Sequence, residues 1–157
     1  MRFRQIDQIT RLEPGESIEA FKYLDGGEDY LRDHFPRFAV MPGVLMLESL
    51  YQAATYLVRA SEDFRPGLVM LKAAKNVKFA DFVEPGQRLK IDVQVVKKNG
   101  NQYIVKGTGS KDGVTAVSGR LVIECVESDE PDIVDKHTSL YMKQMAEQLQ
   151  QATMACE

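Results

Sequence analysis

The chain has 157 residues, 44% of them hydrophobic and 27% charged, which suits one globular domain with a real core and excludes disorder as the main state. A net charge of −3 provides no electrostatic footprint for nucleic acid. Cys125 and Cys156 stand far apart without a CxxC or a ligand-spaced histidine, and the N-terminal MRFRQIDQIT lacks the apolar core of a secretory signal, so a disulfide framework, a zinc site and a membrane anchor are not expected and a cytoplasmic protein is.

In chain order, Phe3 to Ile9 and Ser17 to Tyr23 read as short strands around a Glu13-Pro14-Gly15 turn, the second alternating Ile18, Ala20 and Lys22 against Glu19, Phe21 and Tyr23. Asp25 to Asp33 is a polar loop. From Gly43 to about Ala60 no glycine or proline interrupts a run rich in Leu, Met, Glu, Gln and Ala, and the spacing predicts a helix. Its apolar side chains occupy nearly every face, so other structure should wrap it. After Arg65-Pro66-Gly67, four strand-like segments follow: Leu68 to Phe79, Arg88 to Lys97, Gln102 to Ser110 and Val114 to Val126. Glu84-Pro85-Gly86 separates the first two, and Asn99-Gly100 and Asp112-Gly113 are dipeptides that supply positive φ in tight hairpins, so an antiparallel meander is expected. Leu89, Ile91, Val93 and Val95 alternate with polar neighbours, which leaves one face to pack on the helix. Thr138 to Ala155 reads as a weak amphipathic helix with Tyr141, Met145, Leu149 and Ala152 on one stripe. Residues 1–130 are read as one domain and 131–157 as a polar tail forming a peripheral helix.

The segment His34-Phe35-Pro36 through Gln52 concentrates the chemistry. Between Arg37 and Arg59 it holds a single formal charge, Glu48, and an unpartnered carboxylate out of water costs several kcal/mol, so a purely structural run would normally carry Leu, Ala or Gln there. A histidine stands at the front of the run, and Pro42-Gly43 marks the point where helical spacing begins.

In these residues the chain resembles the hotdog-fold 3-hydroxyacyl-acyl-carrier-protein dehydratases, closest to the FabZ type. That signature runs HFPG, a short variable stretch, MPGVL, two residues, E-A, two residues and Q. Here His34-Phe35-Pro36, Met41-Pro42-Gly43-Val44-Leu45, Glu48 and Gln52 stand in register, and Lys78-Phe79 through Val83-Glu84-Pro85-Gly86 looks like the KFRRPV-x-PGD turn of the family. The resemblance covers roughly Phe3 to Val126. It implies an α+β hotdog fold, a curled antiparallel sheet wrapped around one long central helix. It also implies removal of water from a 3-hydroxyacyl thioester in fatty acid or related acyl-chain biosynthesis, with no metal or redox cofactor.

Dehydration needs one group to take an α-proton and another to protonate the departing β-hydroxyl. Histidine titrates nearest neutrality and suits the first role; a carboxyl in an apolar slot can stay protonated and suits the second. The resemblance assigns His34 as base and Glu48 as acid, contributed by two subunits of a homodimer, with a trimer of dimers as a further assembly. It assigns the Gly43 amide to the thioester oxygen, where a helix start leaves N–H groups free. Gln52, one turn beyond Glu48, is expected to orient the carboxyl. Phe35, Phe38, Pro42, Val44, Tyr51 and Gln52 are expected to line the substrate slot. The acyl group would arrive on acyl carrier protein or coenzyme A. An acidic carrier would need positive potential near the mouth, for which Lys72, Lys75, Lys78, Arg37 and Arg65 are candidates, although strand alternation sends Lys75 to the face opposite the other two lysines.

The chain departs from the pattern at Arg37 in place of Gly, at Phe38-Ala39 in place of Arg-Pro, and at Tyr51 in place of a small residue. These changes bear on substrate range more than on reaction type. Two alternatives stay open here: a hotdog thioesterase, in which a carboxylate activates water, and a non-catalytic acyl-binding subunit, for which Arg37 is the best support.

Overall fold

A computed structural model describes residues 3–126 and 133–152. One six-stranded antiparallel sheet curls around the nineteen-residue helix α1 (Gly43–Ser61). The strands are β1 (Gln8–Glu13), β2 (Ser17–Tyr23), β3 (Leu68–Phe79), β4 (Arg88–Asn99), β5 (Gln102–Lys111) and β6 (Val114–Val126), and α2 (Ile133–Gln151) closes the chain. This is the expected α+β hotdog fold.

Burial follows the pleat. Ile18 and Ala20 of β2, Leu89, Ile91 and Val93 of β4, Val105 of β5 and Leu121 and Ile123 of β6 are all fully buried beneath α1. On the helix, Leu50, Ala53, Ala54, Leu57 and Val58 are equally enclosed, so its C-terminal half is wrapped on all sides. Val44 near its start is 68% exposed, so the N-terminal half keeps an open face.

The sheet order is β1-β2-β4-β5-β6-β3, which corrects the four-strand meander. β4, β5 and β6 do run as a meander, but β3 pairs antiparallel with β6 at the far edge. Glu84-Pro85-Gly86 belongs to a crossing between the two sides of the sheet, because both edges of β4 are taken, one by β2 and one by β5. At Asp112-Gly113 both residues take positive φ (48° and 79°), as a tight hairpin of this hand demands. At the other hairpin the strand runs through Asn99, which pairs with Gln102, and only Gly100 turns left-handed (φ 63°).

The strand expected at Phe3 to Ile9 lies instead at Gln8–Glu13. The physical reason is a competitor for its backbone: the Gln52 side chain of α1 accepts from the Gln5 N–H (2.7 Å) and donates to the Phe3 carbonyl (2.6 Å). Residues 3–6 therefore run along the helix, burying Ile6, before the chain enters the sheet.

Lys75 is a second correction. β3 is bulged between Leu71 and Ala73 and again between Lys75 and Lys78, and each bulge resets the alternation. Lys75 then stands opposite Arg120, Lys78 opposite Ser118, and Lys72 reaches Glu124 (3.3 Å), all even positions of β6 and so one face.

In α2 the inward stripe is Met142, Met145, Ala146 and Leu149, with Ala146 and Leu149 2% exposed, whereas Tyr141 is 58% exposed and belongs to the outer side. The helix packs on β1 and α1, and the Gln8 side chain donates to the Ala152 carbonyl (2.9 Å). Cys125 is buried on β6; Cys156 and the expected helical end at Ala155 lie outside the described residues. No helix among the described residues is long and apolar enough to cross a membrane.

Candidate active site

Pro42 is the N-cap of α1. Its carbonyl accepts from Leu45 N (2.9 Å) and Met46 N (3.2 Å), which opens the helix and leaves the Gly43 and Val44 amides in the turn that has no intrahelical acceptor. A Cβ on Gly43 would stand 2.9 Å from Cδ1 of Phe79, so the ring at the end of β3 lies directly on the glycine. Any side chain at this position would have to displace that ring, and the Phe79 ring forms one wall beside the free amide. No local signal around Phe79 in the sequence gives it this place.

His34 follows the short 3₁₀ turn Asp29–Arg32 and is held from three directions. Its N–H donates to the Tyr30 carbonyl (3.0 Å), its carbonyl accepts from Val40 N (3.0 Å), and its ring Nδ1 lies 3.0 Å from the Val40 carbonyl. A carbonyl can only accept, so Nδ1 carries the proton and the neutral ring keeps its lone pair on Nε2, the arrangement a base needs. The Phe35 ring stacks on the imidazole at 4.1 Å. Val40 and Tyr30 act through main-chain atoms, and no side-chain signal could have named them.

Glu48 is partly buried on α1, and Gln52 Nε2 donates to its Oε1 at 3.0 Å, as the one-turn spacing predicts. Tyr51 spans from α1 to β3, its phenol donating to the Val69 carbonyl (3.2 Å). Burial, reinforced by the charge of Glu48, holds that phenol above its ordinary range. Arg59, two turns further along, is 6% exposed and donates to the Pro66 (2.8 Å) and Gly67 carbonyls. Burial pulls its guanidinium below the usual arginine range.

Of the other expected lining residues, Pro42 is partly buried, and Phe35 and Phe38 are 51% and 47% exposed, Phe38 meeting Phe82 edge to face at 5.5 Å. The structure thus gathers Pro42, Gly43, Val44, Glu48, Tyr51 and Gln52 along one helix, and it places His34, Phe35 and Phe38 on the loop before it. Among the described residues no hydrogen bond or ion pair joins His34 to Glu48 within one chain. Among those residues there is also no cluster of His, Cys, Asp and Glu fit to hold a metal ion.

A family model described as a FabA-like domain matches residues 1–120. The chain belongs to the FabA-like family. Curated members of the FabZ type align over most of it. The 3-hydroxyacyl-[acyl-carrier-protein] dehydratase FabZ of Levilactobacillus brevis is 39% identical over 125 residues, covering 80% of this chain and 84% of the relative. That of Clostridium kluyveri is 35% identical over 120 residues, covering 76% and 83%. Among solved structures, the dehydratase heterocomplex ApeI:P from Xenorhabdus doucetiae superposes with a TM-score of 0.66 at 17% identity, over 82% of this chain and 86% of that one, a likeness of fold. The family match ends near Arg120, so α2 lies beyond it.

Proposed function

We propose that His34 of one protomer and Glu48 of its partner form the acid/base pair of this FabZ-type dehydratase, with the Gly43 amide as the oxyanion donor. The reaction is loss of water from a 3-hydroxyacyl thioester, in fatty acid biosynthesis, giving the trans-2-enoyl thioester. Nε2 of His34 takes the proton from C2, and charge builds on the thioester oxygen beside the Gly43 N–H. The C3–O bond then breaks while Glu48 supplies the proton that lets the hydroxyl leave as water, and C2=C3 forms. The carbonyl-fixed tautomer of His34 is the observation that carries this reading, since it leaves the nitrogen facing away from Val40 free to accept.

Homodimer formation is supported by β3. Among the described residues it is a twelve-residue edge strand paired only with β6, and Leu68, Met70, Leu71 and Phe79 along it are 39% to 52% exposed. A long apolar edge invites a second copy. Two-fold pairing there would set the α1 helices side by side, bringing the exposed Val44 face of one against the loop of the other. The acyl group is carried by acyl carrier protein, as it is in the FabZ relatives by name. We read residues 1–130 as the catalytic unit and 131–157 as an addition to it, and we place the protein in the cytoplasm.

The decisive assay is hydration of an enoyl thioester, followed as loss of its absorbance. His34→Ala and Glu48→Gln should each reduce kcat by about 10² to 10⁴. Equal mixing of the two variants after subunit exchange should restore roughly a quarter of wild-type activity, because half the dimers are mixed and each holds one intact site. Full turnover in either variant alone would remove the mechanism; no recovery on mixing would place both groups in one chain. Release of free thiol in place of hydration would favour the thioesterase alternative.

A further inference from the structure

The path of the acyl chain beyond C3 follows from where the reacting atoms sit. With the thioester oxygen at the Gly43 amide and the departing hydroxyl at Glu48, the chain is drawn along α1 from its start toward its C-terminal end. Past Glu48 the helix offers two sides. The Gln52 side is covered, because its amide holds the segment at Phe3 and Gln5. The other side faces β3, whose Leu71, paired with Ile123 on the inner face, presents uncovered apolar surface. An acyl chain therefore enters the groove between α1 and β3, and Tyr51 stands across that groove with its hydroxyl tied to Val69 on the opposite wall.

We infer that Tyr51 is the depth stop of the acyl slot and that the substrates of this enzyme are short-chain 3-hydroxyacyl thioesters. The inference rests on the placement of the reacting carbons proposed above. The length follows from helix geometry: Gly43 and Tyr51 are eight residues apart, about 12 Å of rise, and a helical side chain leans back toward the N-terminus. An extended acyl chain advances about 1.25 Å per carbon, so on that helical rise the ring meets it near the seventh or eighth carbon. The stop is fixed at its tip: its hydroxyl is held by β3, so the ring cannot swing aside without breaking a hydrogen bond.

The test measures hydration of trans-2-enoyl thioesters of four to sixteen carbons by wild type, Tyr51→Ala and Tyr51→Leu. For wild type, kcat/KM should fall by about 10-fold or more between eight and twelve carbons, the discrimination expected of a closed apolar pocket. In either variant the ratio of twelve-carbon to six-carbon kcat/KM should rise by roughly the same factor. A wild-type profile flat or rising through sixteen carbons overturns the inference without any variant, so a misfolded Tyr51→Ala does not shield it. An unchanged ratio in a folded Tyr51→Leu overturns it as well. A short-chain profile that persists while Glu48→Gln keeps full activity marks failure of the placement on which the inference rests, separately from the role of Tyr51.

Discussion

Gln52 serves two structures with one amide. Its Nε2 donates to Glu48 and to the Phe3 carbonyl, and its Oε1 accepts from Gln5 N–H, so the orientation of the proposed acid and the course of the N-terminal segment are set together. Gln52→Leu keeps the volume and removes all three bonds. It should lower the melting stability by about 1–3 kcal/mol. It should also reduce kcat by roughly 10-fold through a wandering carboxyl, with KM changing less. A variant as active as wild type would show that Glu48 is oriented by something else. The link to Glu48 was legible from the one-turn spacing; the two bonds to Phe3 and Gln5 were not, because no local pattern says which distant backbone a side-chain amide will reach. His34 was legible as a candidate for the same local reason, whereas the carbonyl that sets its tautomer is identical at every residue and has no signature in sequence.

At the level of elements, the far end of α1 is fastened by Glu62. Its carboxylate accepts from Lys98 Nζ (2.8 Å), from the Tyr103 hydroxyl and from Arg65 (3.1 Å), tying the helix end to the β4–β5 hairpin. The hydrogen bond from Lys98, with that from Tyr103, holds the Glu62 carboxyl below its ordinary value near 4.5. Burial, with the Glu62 bond, pushes the Tyr103 phenol from 10 up to about 12. A depressed carboxyl contributes stability that is present above its unfolded pKa and is lost as pH falls through the folded one. A raised phenol contributes stability that is intact below 10 and is lost as pH rises toward about 12. Glu62→Gln should therefore lower the melting temperature most at neutral pH, with the gap to wild type closing below about pH 4. A gap that stays constant through the acid range would mean that the charge on Glu62 contributes nothing. The strands themselves were readable from turn dipeptides and alternation, and β2, β3 and β6 have the expected bounds. Phe3 to Ile9 differs from the expectation because a short segment can satisfy its backbone on a helix side chain as well as on a strand.

Across the whole molecule, one surface ties fold to function: the outer edge of β3. Met70, 47% exposed, lies near its start, and Met70→Glu would place a charge in the proposed contact between protomers. An unpaired buried charge costs several kcal/mol, enough to shift a dimer toward single chains by about 10-fold or more. Light scattering should then report one chain mass in place of two, with hydration lost and far-ultraviolet dichroism retained. A fully active dimer would move the interface elsewhere. Local sequence alone determined the bounds of β2, β3 and β6, that Gly43 starts the central helix, and that a histidine and a carboxyl stand on either side of that glycine. Those properties depend on residues a few positions apart, where periodicity, turn chemistry and helix-end geometry act directly. Only tertiary structure decided that β3 joins β6 rather than β4, that its bulges gather Lys72, Lys75 and Lys78 on one face, that Phe79 covers Gly43 and that Tyr51 bridges to Val69. Each of these joins atoms far apart in the chain, and such pairings are selected by which surfaces remain uncovered once the sheet has closed around the helix.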